Sequence, residues 1–239
     1  MWVFAHRGES AIYPENSRDA ILHCDNQEMH GIEIDLQQAG NQFIVFHDRW
    51  MMRVLGLQKR AVDLSEEDLS SILGRDGQPL PTLTWLLATA KAQDLWLNIE
   101  LKNIQDVELF YQQLTNTAET LKFDLERLVI SAFNHQHLMK LAAINSKLKL
   151  GLLCAHLPSD YHQFLPRFNL YSVHLDMNCI AADFVHYLQQ RNLKVFVFTV
   201  DQASEIEWLF NQQVDGIFAN DPRQAYKIIN NLSDSVANL

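Results

Sequence analysis

The chain has 239 residues, 48% hydrophobic and 20% charged, enough to bury one large core without disulfides or a structural metal. With 8 Gly, 6 Pro and ordinary globular proportions, it is neither collagen-like, linker-rich nor disordered. Its 19 Lys and Arg against 29 Asp and Glu leave a net charge of −10 and no basic run, which argues against recognition of nucleic acid or an anionic membrane by bulk charge.

In chain order, residues 2–6 form the first β-rich run, and Pro14-Glu15-Asn16-Ser17 then reads as a helix start capped by Asn16 or Ser17. Residues 31–36 are the second run. Residues 42–47 follow after only Gly40-Asn41, a hairpin signal; a parallel crossover needs a dozen or more residues, so 42–48 read as an antiparallel return arm. Residues 49–81 are long and irregular and are expected to form an inserted lobe or cap above one end of the fold. Strand-like runs at 95–102, 127–133, 148–154, 172–176, 194–200 and 216–220 then alternate with helix-like stretches such as 82–93, 181–190 and 203–212. Pro222 opens a last helix over 222–230. Without the return arm, eight strands remain, each followed by a helix or long connection. That is the pattern of an α/β fold, a (β/α)8 TIM barrel, whose usual size is ~250 residues. No composition break divides 1–239, so a single domain is expected.

The three cysteines, Cys24, Cys154 and Cys179, are scattered and form no CxxC pair. They suit a reducing compartment rather than a disulfide framework or a thiolate zinc site. The first residues lack the basic and apolar regions of a signal peptide, and the apolar runs are strand-sized, so a cytoplasmic protein without stable membrane association is expected.

In such a barrel, chemistry gathers at the C-terminal ends of the strands. Strand one ends in His6-Arg7-Gly8. Glu33 and Asp35 share one face of strand two, and Glu100 and Lys102 share one face of a later strand. The return arm ends in His47-Asp48. Three carboxylates on neighbouring strands repel one another unless a cation lies between them. From spacing alone, a divalent ion, Mg²⁺ or Ca²⁺, and a metal-free network with Arg7 and Lys102 fit equally well. His6 and His47 end β-runs beside these groups and have the chemistry for proton transfer near neutral pH. His174, near the end of another strand, is a weaker candidate for the rim. The remaining histidines lie in helix-like or loop settings without acidic strand-end partners.

The hairpin offers a check. Around a two-residue loop, opposed residue numbers sum to 81, which faces His47 to Ile34 and turns it from Glu33 and Asp35. A role for His47 therefore predicts an odd-length loop or a bulge.

Taken in order, His6-Arg7-Gly8, Pro14-Glu15-Asn16-Ser17, Ile32-Glu33-Ile34-Asp35, Phe46-His47-Asp48 and Asn98-Ile99-Glu100-Leu101-Lys102 resemble the glycerophosphodiester phosphodiesterase family. Leu80-Pro81-Thr82-Leu83, Ile130-Ser131-Ala132-Phe133, Phe198-Thr199-Val200-Asp201 and Val214-Asp215-Gly216-Ile217 extend the match over nearly the whole chain. The resemblance implies Glu33, Asp35 and Glu100 as ligands of one divalent cation, His6 and His47 as an acid–base pair, and Arg7 and Lys102 as the holders of the phosphodiester oxygens. It implies hydrolysis of a small-molecule glycerophosphodiester to sn-glycerol 3-phosphate and an alcohol. The first nucleophile would be either the glycerol 2-hydroxyl, through a cyclic phosphate, or water.

Departures fall on the site's wall. Phe198 stands where the family has Trp, Asp201 where it has Asn, and Ala219-Asn220 where it has Thr-Asp. The hairpin loop is one residue shorter. Phe133 and Phe198 could form an apolar wall for the glycerol carbons, or Phe198 could be ordinary core. Two other functions stay open. One is a lysophospholipase D-type activity, for which Trp50-Met51-Met52 is the hint; the other is a non-catalytic binding protein on the same barrel.

Overall fold

The computed structural model describes residues 1–157 and 159–237. The chain runs β1 (Trp2–His6), α1 (Arg18–Leu22), β2 (Gly31–Ala39), β3 (Gln42–Val45), α2 (Met52–Leu55), α3 (Glu66–Ser71) and α4 (Leu83–Ala92). It continues through β4 (Trp96–Leu101), α5 (Val107–Leu121), β5 (Leu128–Ala132), α6 (His135–Ile144), β6 (Lys149–Cys154) and α7 (Tyr161–Phe164). The last elements are β7 (Ser172–Asp176), α8 (Ala182–Gln189), β8 (Lys194–Phe198), α9 (Ala203–Asn211), β9 (Gly216–Ala219) and α10 (Pro222–Ala237).

Eight parallel strands form a closed ring, because β1 pairs with both β2 and β9, while β3 lies antiparallel on the outer end of β2. This is the (β/α)8 barrel expected from the alternation of elements. No helix among the described residues is long and apolar enough to cross a membrane.

Period-two alternation sorts the strand residues. Val3, Ala5, Ile32, Ile34, Leu97 and Ile99 join the large cluster beneath the helices. Their neighbours Trp2, Phe4, Trp96, Phe196 and Phe218 form a second, aromatic cluster. Trp2 meets Trp96 at 4.8 Å between ring centres although β2 lies between their strands, which places this cluster inside the ring. Gly31 makes room for it: a Cβ there would lie 2.4 Å from the Phe4 ring. Continuing each inward series up its strand leads from Phe4 to His6, from Gly31 to Glu33 and Asp35, and from Trp96 through Asn98 to Glu100.

The helices pack on the outward set. In α5, Val107, Phe110, Leu114 and Ala118 recur at helical spacing and are buried, and Phe110 meets Phe43 edge-on at 5.5 Å. The Asp106 carboxylate accepts from the Leu109 N–H at 2.9 Å to start that helix, a cap worth about 1 kcal/mol. Truncating Phe110 to Ala would cost roughly 3–5 kcal/mol. Ser17, not Asn16, caps α1, accepting from the Ala20 N–H at 3.1 Å.

The hairpin differs from the sequence expectation. Leu36 pairs with Val45 and Ala39 with Gln42, so opposed numbers sum to 81 around a regular two-residue turn with neither odd loop nor bulge. β2 also extends to Ala39, three residues beyond its predicted end. On one side the hairpin's Phe43 and Val45 join the main core. On the other, Ala39, Ile44 and Phe46 pack against Met51, Ala61, Leu64, Ile72 and Leu80, a separate small core supplied by 49–81.

Candidate active site

Glu33, Asp35 and Glu100 are all buried at the C-terminal ends of β2 and β4, where Asp35 and Glu100 are direct neighbours in register. One oxygen from each lies within 4.8 Å of the others. Two cations face them. Arg7 places Nε 3.2 Å from Asp35 Oδ2, and Lys102 places Nζ 3.5 Å from Asp35 Oδ1 while also pairing with Glu100. Arg7 reaches this position because it sits at φ 60°, in the left-handed region, just past β1. Its N–H there donates to Glu33 Oε2 at 3.0 Å. Gly8 continues the turn at φ 77°, and a Cβ on it would lie 2.6 Å from the Ala20 backbone.

The carboxylates are unequally compensated. Burial pushes Asp35 up, but Lys102, Arg7 and the Asn16 amide outweigh it and hold the group below the usual aspartate value. Burial, with Asp35 and Glu100 adding to it, drives Glu33 well above the ordinary glutamate range. Glu100 rises to about 7, through burial first and Asp35 second. Two cations thus leave the three acids short of positive charge. Hard carboxylate oxygens this close, with charge still to be balanced, fit one Mg²⁺ or Ca²⁺ ion. A second group, Glu15, His47 and Asp48, is equally close, but Arg53 already bonds both of its carboxylates and supplies the countercharge.

His6 ends β1 in register with Glu33. Its Nδ1 lies 2.8 Å from Asn220 Oδ1, and burial, with Arg7 close by, lowers its pKa. His47 arrives by a route the hairpin arithmetic did not foresee. The ladder ends at Val45, although the Phe46 N–H still bonds the Asp35 carbonyl at 2.9 Å, and the chain then turns away. The buried Gln37 amide holds the departing segment, donating to the carbonyls of Phe46 at 2.9 Å and Asp48 at 2.7 Å. His47 Nδ1 lies 2.7 Å from Asp48 Oδ1. Burial pushes Asp48 up, but Arg53 foremost holds its carboxyl down to about 2.

Phe133 and Phe198 meet edge-on at 5.8 Å, and Lys102 Nζ lies 5.3 Å from the Phe133 ring centre. Phe133 is 41% exposed, so it borders the mouth beside Lys102. His174 does not lie on the rim. It is buried against Phe196 and Phe218, with Nε2 2.8 Å from Ser172 Oγ. Its inward position is two residues below the strand end, too deep to meet solvent.

Several contributors escaped the sequence reading. Asn16, Glu15, Gln37, Asp48 and Arg53 all support the groups above. Glu15 accepts from Arg7 Nη1 at 3.1 Å and from Arg53 Nη2 at 2.6 Å, so one carboxylate ties the lobe to the barrel. The Pro14-Glu15-Asn16-Ser17 string was visible as a helix start and as part of the family resemblance, but neither gave Glu15 or Asn16 a role in the site.

Comparison with known proteins identifies the family and the fold. The model of the glycerophosphoryl diester phosphodiesterase family matches residues 6–224. A glycerophosphodiester phosphodiesterase of Caldanaerobacter subterraneus subsp. tengcongensis is 29% identical, over 95% of this chain and 97% of its own. Two solved structures share the fold. One is an Oleispira antarctica phosphodiesterase in complex with the product sn-glycerol-3-phosphate, at TM-score 0.85 and 23% identity over 96% of this chain and 97% of that one. The other is a glycerophosphodiester phosphodiesterase from Parabacteroides distasonis, at TM-score 0.83 and 21% identity over 97% and 98%. With the family's pattern running through all but the ends of the sequence, the chain belongs to the glycerophosphoryl diester phosphodiesterase family.

Proposed function

We propose that this protein hydrolyses glycerophosphodiesters to sn-glycerol 3-phosphate and an alcohol. The observation that carries the reading is the convergence of three buried carboxylates and two cations at one barrel mouth, with His6 and His47 close enough to interact with the Asp35 charge. A phosphodiester is an anion, and negative charge grows on its phosphoryl oxygens as a nucleophile adds. Arg7 and Lys102 are the groups to hold those oxygens, and their pull is greatest where charge is greatest, in the transition state. Glu33, Asp35 and Glu100 would hold a divalent cation, which supplies further electrostatic stabilisation of the phosphoryl group when bound. His6 and His47 move the protons, one from the nucleophile and one to the departing alkoxide, each step typically worth ~10²–10⁴-fold. Phe133 and Phe198 offer the glycerol carbons an apolar wall. The free thiols Cys24, Cys154 and Cys179 support a place in the reducing cytoplasm.

One observation favours a second reading, action on a lipid-bearing diester. Met51 is buried in the lobe, but Trp50 and Met52 beside it are 44% and 48% exposed. A turnover assay with glycerophosphocholine, glycerophosphoethanolamine and lysophosphatidylcholine, with Mg²⁺, Ca²⁺ or excess chelator, separates these readings. Chelator-sensitive release of sn-glycerol 3-phosphate from the first two is the expected result. Undiminished turnover in chelator, or none on any diester, would overturn it, and preference for lysophosphatidylcholine would favour the second reading.

A further inference from the structure

A hydrogen-bonded chain runs from His6 to the far end of the sequence. Asn220, just past β9, places Oδ1 2.8 Å from His6 Nδ1 and donates from Nδ2 to Asp201 Oδ2 at 2.7 Å. Asp201, beyond β8, also accepts from the backbone N–H groups of Asn220 at 2.7 Å and Asp221 at 3.2 Å. Three donors on one carboxylate fix it as an acceptor, and an ionised carboxylate can only accept. The Asn220 amide therefore has one acceptable orientation. Turned the other way, its oxygen would meet the Asp201 oxygen at hydrogen-bond distance, lone pair against lone pair. The single Ser10 hydroxyl hydrogen is shared between the His6 carbonyl oxygen at 2.7 Å and Asn220 Oδ1 at 3.0 Å, so the Asp201 clamp alone sets the amide.

With an oxygen facing it, His6 Nδ1 must carry a hydrogen. We propose that Asn220, clamped by Asp201, is a positioning residue that locks His6 in the Nδ1–H tautomer, leaves Nε2 bare, and so makes His6 the proton acceptor of the pair. This rests on the reading of His6 and His47 as the proton-transfer groups. The nucleophile's O–H proton passes to His6 Nε2 as its oxygen bonds to phosphorus. The P–O bond to the alcohol then breaks, and the departing oxygen takes a proton from His47, whose Nδ1 faces the Asp48 carboxylate. A neutral ring in the other tautomer would present an N–H where a lone pair is needed, the failure by which a mis-set histidine disables a triad.

The test reads the ring directly. In the full chain with ¹⁵N-labelled histidine, the His6 resonances at pH 7.5 are expected to report Nδ1–H and a bare Nε2, and Asn220→Leu should abolish that preference. In turnover, Asn220→Leu should lower kcat about 10–100-fold with KM within about twofold. The exchange Asp201→Asn with Asn220→Asp, which restores an acceptor at Nδ1, should recover most of the loss. An Nε2–H ring in the native protein, or a folded Asn220→Leu protein with native kcat, would overturn the proposal. If Asn220→Leu fails to fold, the native spectrum decides the tautomer alone. Because the nitrogens are read without substrate, an inactive native protein would overturn the hydrolase reading and the proton-acceptor role, while the tautomer lock would still stand or fall on the spectrum.

Discussion

Asn16 clasps Asp35 from two directions: its Nδ2 donates to Asp35 Oδ2 at 2.8 Å, and the Asp35 N–H donates to Asn16 Oδ1 at 3.2 Å. Both side chains are buried, and Asn16 sits at φ 57°, a conformation that Asn and Gly tolerate best. Asn16→Gly keeps the backbone and removes the clasp. It should weaken binding of Mg²⁺ or Ca²⁺ by on the order of 10–100-fold, the usual cost of losing a partner behind a ligand. Isothermal titration of the folded variant with each ion checks this, and unchanged affinity would refute it.

Glu33→Ala and Glu100→Ala remove hard oxygens from the buried trio. Each should abolish cation binding and turnover together, whereas a role limited to ion pairing with Arg7 and Lys102 would leave activity indifferent to chelator. Calorimetry and activity measured on the same preparations tell the two apart.

Arg53 is 54% exposed, yet it bonds Asp48 through Nε at 2.5 Å and Nη2 at 2.8 Å and reaches Glu15 at 2.6 Å. Exposed ion pairs add about 0–1 kcal/mol, so Arg53→Ala should barely move the urea midpoint. Asp48 would nevertheless lose the group that steadies it against His47. A fall in kcat of about tenfold, with little change in stability, is expected from kinetics and denaturation run side by side. Native kcat would show that the lobe's arginine is ornamental to the chemistry.

Burial holds the His174 imidazole down to about 3, whereas a histidine in the unfolded chain titrates near 6.5. Below about pH 6.5 the unfolded chain takes up a proton that the folded chain refuses. Stability from this residue is therefore fully present above that pH and is lost as pH falls towards 3, by about 1.4 kcal/mol per unit. Between pH 7.5 and 5.5, where the raised Glu33 and Glu100 act with the opposite sign, urea denaturation should show a stability change less unfavourable in His174→Leu than in the native protein by about 1 kcal/mol. Equal pH slopes would contradict it.

Strands, their inward faces and the acidic trio were legible in the sequence because alternation is a local property: Trp2, Phe4 and His6 must share a face once residues 2–6 are extended. Long-range ion pairing has no such signature. Nothing near Arg53 marks it as the partner of Glu15, 38 residues earlier, and Gln37 looks like a surface residue until its amide is found on two buried-side carbonyls. The hairpin reading failed in an instructive way. Parity fixes side-chain direction only while a ladder lasts, and His47 lies two residues past the last paired position. His174 misled for the opposite reason: a polar residue near a strand end reads as rim, although here the ring fills interior space that Gly151 vacates, where a Cβ would lie 2.7 Å from it.

Because β9 closes the ring against β1, the amide that faces His6 comes from a residue 214 positions downstream. A nascent polypeptide still short of Asn220 can already carry Arg7, Glu33, Asp35, His47, Glu100 and Lys102, yet it lacks the amide that faces the first imidazole. The ring that brings the two together can therefore close only once the ribosome has delivered the final strand.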